Sequence, residues 1–260
     1  MPGRFKVSLS EDTGFLQELS ISPVDGSVSE TIYVRFEPDS LRTYSGSIVH
    51  SSTGLEAKYI AVSGTGAEID EFPGTALEFD GTDDYINCGN ENSFDVGNTL
   101  TVEAWIKPAD LSFRQSIFST RKNNDDGSFQ LEVGAGNGGT NRIAVTGPGT
   151  WVVETEDNAI SENEWNHIVY SRNGTGMGNH KIFVNGEEQQ LLTENNYNFT
   201  DNDIDKLIGS KNGSTGFYSG ILEEMRLWNI VRTEEEIREN MYIPLVGNET
   251  GLVSYWQFNE

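Results

Sequence analysis

A short acidic run is the first candidate for chemistry in this chain. Glu68, Asp70 and Glu71 fall within the segment EIDEF. Retaining hydrolysis of a glycosidic bond needs two carboxyl groups about 5 Å apart, and only alternate residues of a strand project from one face. Glu68 and Asp70 would share a face, but Glu71 would point away. The spacing therefore argues against catalysis by these residues.

A second acidic segment has a spacing that suits a cation. Asp201, Asp203 and Asp205 alternate along the polar loop 195–205, as the first three ligands of an EF-hand do. However, Lys206 stands where that motif requires glycine, and Asn212 where it requires a bidentate glutamate. We therefore reject the EF-hand and keep the loop only as a general candidate for cation binding.

The other reactive side chains do not form a catalytic group in the sequence. His50, His167 and His180 are far apart, and Cys88 is the only cysteine, which excludes an intrachain disulfide and a thiolate metal cluster. The chain has no nucleophile elbow, phosphate-binding glycine loop or metalloprotease helix. We therefore predict a binding function and no enzymatic activity.

Charge and hydropathy limit the partners. The 260 residues carry a formal charge of −24, and residues 1–70 account for only −5 of it. Such an acidic surface disfavours nucleic acid and anionic membrane as partners. No apolar run approaches the roughly 20 residues of a membrane span. The opening MPGRFKV lacks an apolar signal core, so we expect a fragment of a longer secreted or surface polypeptide.

Short alternating segments predict an all-β fold that must position any site. In LTVEAWIKP, starting at Leu100, the apolar face is Val102, Ala104 and Ile106. Glu103 and Trp105 lie on the opposite face, where we expect Trp105 to pack under a covering loop and Glu103 to pair with Arg226. The dipeptides Asp126–Gly127 and Asn185–Gly186 predict hairpin turns.

The segment GILEEMRLWNIVRTEEEI, starting at Gly220, combines a strand with a short helix. Leu222, Met225 and Leu227 lie on one side of the predicted strand, and the other side is formed by Glu224, Arg226 and Trp228. Thr233 is followed by three glutamates, a sequence typical of an N-cap and the first turn of a helix. A strand followed by one short helix is unusual in a chain otherwise composed of strands.

Six segments resemble, in order and spacing, a laminin G-like, pentraxin-like jelly roll of the concanavalin A-like type. They are ALEFDGTDDYINCG, LTVEAWIKP, EWNHIVYSRNG, KIFVNGEEQQ, GILEEMRLWN and GLVSYWQFNE. The resemblance implies a jelly-roll sandwich over residues 75–260. EIDEF itself resembles the signature of laminarinase-type β-glucanases, but those enzymes carry it deep in the sandwich, whereas here it precedes the first strand.

The N-terminal residues resemble the immunoglobulin-like repeats of bacterial surface proteins. We predict five strands within residues 1–66, namely Phe5–Leu9, Leu16–Ile21, Glu30–Phe36, Tyr44–His50 and Lys58–Ser63. A complete sandwich of this type has about seven strands. We therefore expect a truncated immunoglobulin-like domain with an exposed apolar edge, followed by a linker at 67–74.

Two functions fit this organisation. The first is a non-catalytic recognition module for a polysaccharide or glycan in an extracellular or surface protein, with aromatic residues on the loop rim stacking on sugar rings. The candidate rim residues are Trp151, Tyr197, Phe199, Phe217 and Tyr218. The alternative is a structural or adhesive spacer that contacts other surface proteins.

Calcium is the predicted cofactor of the larger domain, because Asp, Asn and glycine-turn carbonyls supply the oxygen ligands that it needs. One candidate site follows from the resemblance to pentraxins and includes Asp125 and Asp126. In the second half of that site Ser210 and Asn212 stand where pentraxins have carboxylates, and Lys211 would repel a cation. The other candidate lies where the first strand of the larger domain meets the GILEEMRLWN strand. Its proposed ligands are Asp80, Asp84 and Glu223.

Overall fold

The computed structural model describes residues 4–11, 13–23, 25–37, 43–65, 76–121, 128–136, 139–200 and 204–258. The chain divides into two compact units, Met1–Asp70 and Glu71–Glu260. The predicted linker 67–74 and the EIDEF residues Glu68, Asp70 and Glu71 lie outside the described residues. The exact domain limits therefore stay a prediction.

The smaller unit contains two antiparallel strand pairs among its described residues. Strand β1 (Phe5–Ser8) pairs with β2 (Tyr33–Phe36), and β3 (Thr43–His50) pairs with β4 (Lys58–Thr65). The predicted strand at Leu16–Ile21 is wrong, since Leu16 forms only an isolated bridge with Val7. Apolar side chains of β3 and β4 are exposed, as expected for an incomplete sandwich, but two separate pairs do not establish an immunoglobulin-like repeat.

The described residues of the larger unit form strands, one short α-helix and a single 3-10 turn at Asn92–Phe94. Its strands are β5 (Leu77–Asp80), β6 (Ile86–Asn87), β7 (Thr99–Pro108), β8 (Gln115–Ser119), β9 (Gln130–Gly136), β10 (Gly139–Gly147), β11 (Thr150–Thr155), β12 (Asn166–Asn173), β13 (His180–Val184), β14 (Glu187–Glu188), β15 (Leu191–Glu194), β16 (Leu207–Ile208), β17 (Ser219–Trp228) and β18 (Leu252–Trp256). The helix is α1 (Glu234–Asn240). This is the all-β architecture with one helix that the sequence predicts.

Two antiparallel sheets form the sandwich. The front sheet has the order β15-β11-β10-β9-β8-β16-β6, and the back sheet has the order β14-β13-β12-β7-β17-β18 with β5 also paired to β17. The core between them is built from alternate residues of both sheets, which are almost fully excluded from water. Representative core residues are Val102, Leu131, Ile143, Ile168 and Leu222.

A β-bulge in β17 explains an irregularity of its sequence pattern. Leu222 and Met225 both pack in the core although they are three residues apart, which strict alternation forbids. The register between β17 and β7 shifts between Glu223 and Arg226, and Glu224 takes a left-handed conformation with φ of 51°. The extra residue restores Met225 to the core face and places Glu224 and Arg226 together outside it.

The capping signal and the Asn185–Gly186 turn are confirmed, whereas the predicted Asp126–Gly127 turn lies outside the described residues. Thr233 and Glu236 form a reciprocal capping box at the start of α1, and Ile237 then packs on the outer face of the back sheet against Val169 and Phe183. Asn185 and Gly186 join β13 to β14 with φ of 50° and 79°, as a type I′ turn requires. No helix among the described residues has the length and apolarity needed to cross a bilayer.

Buried charges link the back sheet to the segment that covers it. The predicted pair of Glu103 and Arg226 is confirmed at 3.8 Å, and Glu103 also accepts a hydrogen bond of 2.7 Å from the indole of Trp228. Burial opposes ionisation of Glu103, but the hydrogen bond from His167 and the nearby arginines keep its pKa below the ordinary value. Trp105 is packed as predicted, and its indole donates to the Met241 carbonyl at 2.7 Å.

Candidate functional site

Polar side chains on the outer face of the front sheet form the candidate site. In β9, Leu131 and Val133 pack in the core, so Gln130 and Glu132 project from the opposite face. The register places Gln130 beside Thr146 of β10, and Thr146 beside Trp151 of β11. Alternation along three adjacent strands therefore brings an amide, a carboxyl, a hydroxyl and an indole to one surface.

This surface is concave. It forms a groove of about 340 Å³ whose floor and walls include Arg114, Arg121, Gln130, Glu132, Trp151 and Lys211. A larger concavity of about 410 Å³ lies in the smaller unit, between residues 21–32 and His50. The described residues that line it include no Phe, Tyr or Trp and one acid, Glu30, so they lack the mixture of groups found in the groove.

Two buried polar side chains on the groove floor have unused hydrogen-bonding capacity. Gln130 is 3% exposed and Glu132 is 6% exposed, yet within the described part of the chain neither side chain forms a hydrogen bond. The nearest charged partner of Glu132 is Arg114, at 3.8 Å, which is an ion pair without hydrogen-bond contact. Both side chains line the groove, so their polar atoms are available to pair with polar atoms from outside the chain.

An arginine holds the indole at the wall of the groove. The guanidinium of Arg114 lies over the Trp151 ring, 4.7 Å from its centroid, and also forms an ion pair with Glu154. Glu154 is bound from its other side by Arg142 at 3.1 Å, and Arg142 in turn contacts Asp157 at 2.7 Å. This chain of charges fixes the orientation of Trp151, which remains half-buried rather than enclosed.

Glu132 is the titratable acid of the groove. Burial raises its pKa to about 7, and the neighbouring Glu154 acts in the same direction. The positive charges of Arg114, Arg121 and Lys211 lower the pKa but do not overcome burial. At neutral pH this carboxyl is therefore divided between its neutral and ionised forms, and its neutral form can donate a hydrogen bond as well as accept one.

Only one of the predicted aromatic rim residues lines the groove. Trp151 does so, whereas the prediction that Phe199 and Tyr218 stack on a ligand is wrong, because both are core residues with 4% and 0% exposure. Phe199 stacks on Phe129 at 4.4 Å, and burial raises the pKa of Tyr218 well above its ordinary value. Both rings pack in the hydrophobic core. The loop sequence alone does not show whether an aromatic ring packs there or stays exposed.

The remaining two rim candidates are half-buried and lie outside the groove lining. Tyr197 packs against the core cluster and donates a hydrogen bond of 3.2 Å to the Ser128 carbonyl. A Cβ atom at Gly147 would collide with its ring, so Tyr197 supports the groove wall from behind. Phe217 is also half-buried. Neither ring is presented to the groove.

The predicted metal residues separate into three groups. Asp80 and Asp84 come together with Asp83 in an exposed cluster whose ligand atoms lie within 4.8 Å of one another. Asp80 faces Ser219 across the β5–β17 pair, and Glu223 is four residues further along β17. At about 3.4 Å per residue, Glu223 is too distant to join the cluster, so that part of the prediction is wrong.

The other proposed cation ligands are not assembled by the described residues. Asp125 and Asp126 lie outside the described residues, as do Asp201 and Asp203. Asp205 is described, and one of its carboxylate oxygens accepts a hydrogen bond of 2.7 Å from Asn87. The acidic cluster at Asp80, Asp83 and Asp84 is therefore the carboxylate group best suited to hold a cation within the described ranges.

Replacing Glu223 by glutamine is expected to change how stability depends on pH. Glu223 is buried with one carboxylate oxygen lacking a hydrogen-bond partner, and burial together with Glu224 raises its pKa from 4.5 to about 7. The folded state therefore resists ionisation, and stability due to this group is complete below pH 4.5 and is lost as the pH rises to 7. Glu223→Gln should remove that loss.

Thermal melting from pH 4 to pH 8.5 tests this expectation. The difference in Tm between Glu223→Gln and the native chain should increase in favour of the variant from pH 4.5 to pH 7. Above pH 7 the difference should stay constant. Glu235→Gln on the exposed face of α1 is the matched control and should keep the native profile. Identical profiles for Glu223→Gln and the native chain would contradict the role given to this carboxyl.

Sequence reasoning missed most of the groove. The alternation of Phe129, Leu131 and Val133 with Gln130 and Glu132 is a signal that could have identified the floor, because it assigns both polar residues to one face. Arg121 and Lys211 carry no such signal. They are 90 residues apart in the sequence, and the pairing of β16 with β8 brings them to the same groove.

Comparison with known proteins agrees with the fold of the larger unit. Residues 80–238 match a laminin G family profile described as the concanavalin A-like lectin/glucanases superfamily. No curated protein sequence matches the chain. A solved structure of a candidate carbohydrate-binding protein from Bacteroides ovatus ATCC 8483 is similar over 88% of this chain, with 22% identity and a TM-score of 0.58. The chain spans 65% of the length of that structure.

Two smaller structures are also similar. The heptameric SAP-like pentraxin from Limulus polyphemus has 17% identity and a TM-score of 0.47, covering 65% of this chain and 82% of its own. The CBM40 module of the Ruminococcus gnavus IT-sialidase has 18% identity and a TM-score of 0.49, covering 63% of this chain and 94% of its own.

Proposed function

The chain belongs to the concanavalin A-like lectin/glucanase superfamily, and we propose that its larger unit is a non-catalytic carbohydrate-recognition module of an extracellular or surface protein. The observation that carries the proposal is the groove floor, where the side chains of Gln130 and Glu132 lie beside Trp151 without a hydrogen bond to any described residue. The similarity to the candidate carbohydrate-binding protein from Bacteroides ovatus supports the same function.

A saccharide satisfies the chemistry of this groove better than an apolar ligand does. Sugar hydroxyls both donate and accept hydrogen bonds, and can therefore pair with the amide of Gln130 and the carboxyl of Glu132. The C–H face of a sugar ring is flat and apolar enough to lie on an indole such as Trp151. An apolar ligand would leave both buried polar groups unpaired, at a cost of about 1–3 kcal/mol for each.

The arrangement of carboxylates supports recognition rather than hydrolysis. Hydrolysis of a glycoside uses two carboxyl groups that both reach the scissile bond. Glu132 lines the groove, but the neighbouring Glu154 is buried and held by Arg114 and Arg142. A carboxylate committed to two guanidinium groups is not available as a nucleophile or base. We expect no reducing ends to be released from laminarin, agarose or xylan.

Trp151→Ala and Gln130→Ala are expected to weaken glycan binding by at least tenfold each. The indole substitution should cost more, about 2 kcal/mol or 30-fold, because aromatic residues at the centre of a site carry much of the binding energy. A glycan array identifies the ligand, and titration calorimetry with the best saccharide then measures the loss. Melting curves establish that both variants remain folded.

Tyr59→Ala is the matched control, because this aromatic residue is exposed and belongs to the smaller unit. It should bind like the native chain. If the native protein binds no glycan on the array, the proposal fails and the spacer or adhesive function becomes the better explanation. If a glycan binds but Trp151→Ala has no effect, carbohydrate recognition stands and the groove is the wrong site.

We propose calcium as the cation of the cluster formed by Asp80, Asp83 and Asp84. Their exposed carboxylates supply closely spaced oxygen atoms, and two of the six oxygens already orient the turn, since Asp84 accepts from the Asp80 amide at 3.0 Å and Asp80 from the Thr82 amide at 2.7 Å. An ion here would hold the turn after β5 in its folded conformation and stabilise the folded state by mass action.

Melting curves with calcium and with chelator test this assignment. Calcium at 100 times its Kd should raise stability by about 2.7 kcal/mol, and Asp83→Ala should abolish the shift. Asp126→Ala should retain it, because that residue belongs to the competing pentraxin-like candidate. An unchanged Tm with calcium would remove the ion from the proposal, and loss of the shift in Asp126→Ala alone would move the site.

A further inference from the structure

The groove has a charge opposite to that of the chain. The protein carries 41 acidic and 17 basic residues, yet among the described residues that line the groove three are basic, Arg114, Arg121 and Lys211, and one is acidic, Glu132. On a surface with no role in binding, acidic residues would be expected to outnumber basic ones here as elsewhere. The local excess of positive charge therefore favours a ligand that carries negative charge.

The basic side chains of the groove differ in how far they are paired with other side chains of the protein. Arg114 is engaged by Glu154 and by the face of Trp151. The ammonium group of Lys211, in contrast, forms neither an ion pair nor a hydrogen bond within the described ranges. This is unusual in a chain that has 41 acidic and 17 basic residues.

The backbone of Lys211 is nevertheless held firmly. Its amide donates to the Thr215 carbonyl at 3.0 Å, and its carbonyl accepts a hydrogen bond of 2.7 Å from the Ser119 hydroxyl of β8. The side chain of Asn212 closes the turn by accepting from the amides of Ser214 and Thr215 at 3.1 and 3.0 Å. The loop thus presents to the groove, from a fixed position, a cation that is paired with none of the described side chains.

Glu132 does not neutralise this charge completely. Burial raises its pKa to about 7 in spite of Arg114, Arg121 and Lys211, and Glu154, itself paired with Arg142, raises it further. A large share of the Glu132 carboxyl is therefore uncharged at neutral pH. The groove keeps a net positive charge, and the neutral carboxyl is a hydrogen-bond donor to an anionic oxygen.

We propose that the groove binds an acidic saccharide, with the carboxylate or sulfate group of the sugar facing Lys211 and the ring lying against Trp151. This rests on the proposed carbohydrate-recognition function and specifies its ligand class. Lys211 supplies a point charge that suits either anion, Arg121 adds to the local field, and Gln130 and Glu132 pair with the remaining polar atoms of the sugar. A neutral saccharide would leave the Lys211 charge uncompensated.

Titration calorimetry with matched saccharides tests the proposal. Trigalacturonate and its fully methyl-esterified form share one sugar backbone and differ in whether each carboxyl group is ionised or a neutral methyl ester. A sulfated and a desulfated galactan tetrasaccharide form a second pair that separates the two anions. In 50 mM salt we expect at least one acidic member to bind ten times more tightly than its neutral partner. That advantage should shrink at 500 mM salt because the charges are screened.

Lys211→Gln should remove most of the preference for the acidic member and leave the affinity for the neutral one within twofold. Lys181→Gln is the control, because Lys181 is an exposed lysine on the back sheet, paired with Glu188. It should keep the preference. Equal affinities for acidic and neutral partners in the native protein would overturn the ligand class while carbohydrate recognition stands. Absence of binding to every saccharide would overturn both.

Discussion

Arg226→Ala is expected to lower the free energy of unfolding by about 3–5 kcal/mol, because it leaves two buried carboxylates without their cation. The guanidinium lies 2.7 Å from Glu224 and 3.8 Å from Glu103. It also donates to the carbonyls of Asn240 and Ile243 at 3.1 and 2.8 Å. The variant therefore loses both the charge balance of β17 and the attachment of the segment after α1. Urea denaturation measures the effect.

Lys181→Ala is the comparison for this prediction, since it also removes one cation from an ion pair of the back sheet. Lys181 is exposed and lies 2.7 Å from Glu188. Exposed pairs contribute only about 0.2–1 kcal/mol, so this variant should be nearly as stable as the native chain. A loss in Arg226→Ala no larger than that in Lys181→Ala would show that the buried network does not stabilise the sandwich.

Gly220→Ala is expected to destabilise the larger unit by about 2–6 kcal/mol, the combined range for backbone strain and overpacking. Gly220 has a φ of 138°. A Cβ atom there would overlap the carbonyl oxygen of Lys107 and lie 2.9 Å from the amide nitrogen of Ala109. Both obstacles are backbone atoms of β7 and its following turn, which cannot rotate away as a side chain would. Thermal and urea denaturation measure the loss.

Gly89→Ala separates the two contributions. Gly89 also has a positive φ, 77°, but a Cβ atom there would meet no other atom within 4 Å. This variant should cost only the backbone term, about 1–2 kcal/mol. If Gly220→Ala costs no more than Gly89→Ala, the close approach of β17 to β7 is looser than the structure indicates.

Short-range signals account for the parts of the fold that the sequence predicts correctly. The capping box of Thr233 and Glu236 and the Asn185–Gly186 turn each depend on a few adjacent residues. Alternation within one strand also places Trp105 on the face opposite the core, where the segment at Met241 covers it. In contrast, the bulge beside Glu224 needs the pairing of β17 with β7 before it can be recognised, because the extra residue is defined only relative to a partner strand.

The candidate site depends on longer-range information. The sequence predicts Trp151 as a ligand-binding residue because it is aromatic and lies in a loop. Phe199 and Tyr218 are also aromatic residues of predicted loops, yet both are in the core. Phe199 and Tyr218 are buried because the space between the two sheets accommodates their rings. An aromatic residue in a loop sequence is equally compatible with stacking on a ligand and with packing, so only the packed structure can separate the two.

By itself, the sequence determined the class of the protein: an all-β chain with an acidic surface, one cysteine and the segments of a concanavalin A-like sandwich. These features are set by composition, alternation and local turn chemistry, which act over a few residues. Only the tertiary structure decided where the groove lies, because Arg114, Gln130, Trp151 and Lys211 come from separate parts of the chain and are brought together by strand pairing. It also decided the charge of the groove and the pKa of Glu132, since both depend on burial and on neighbours that are distant in sequence.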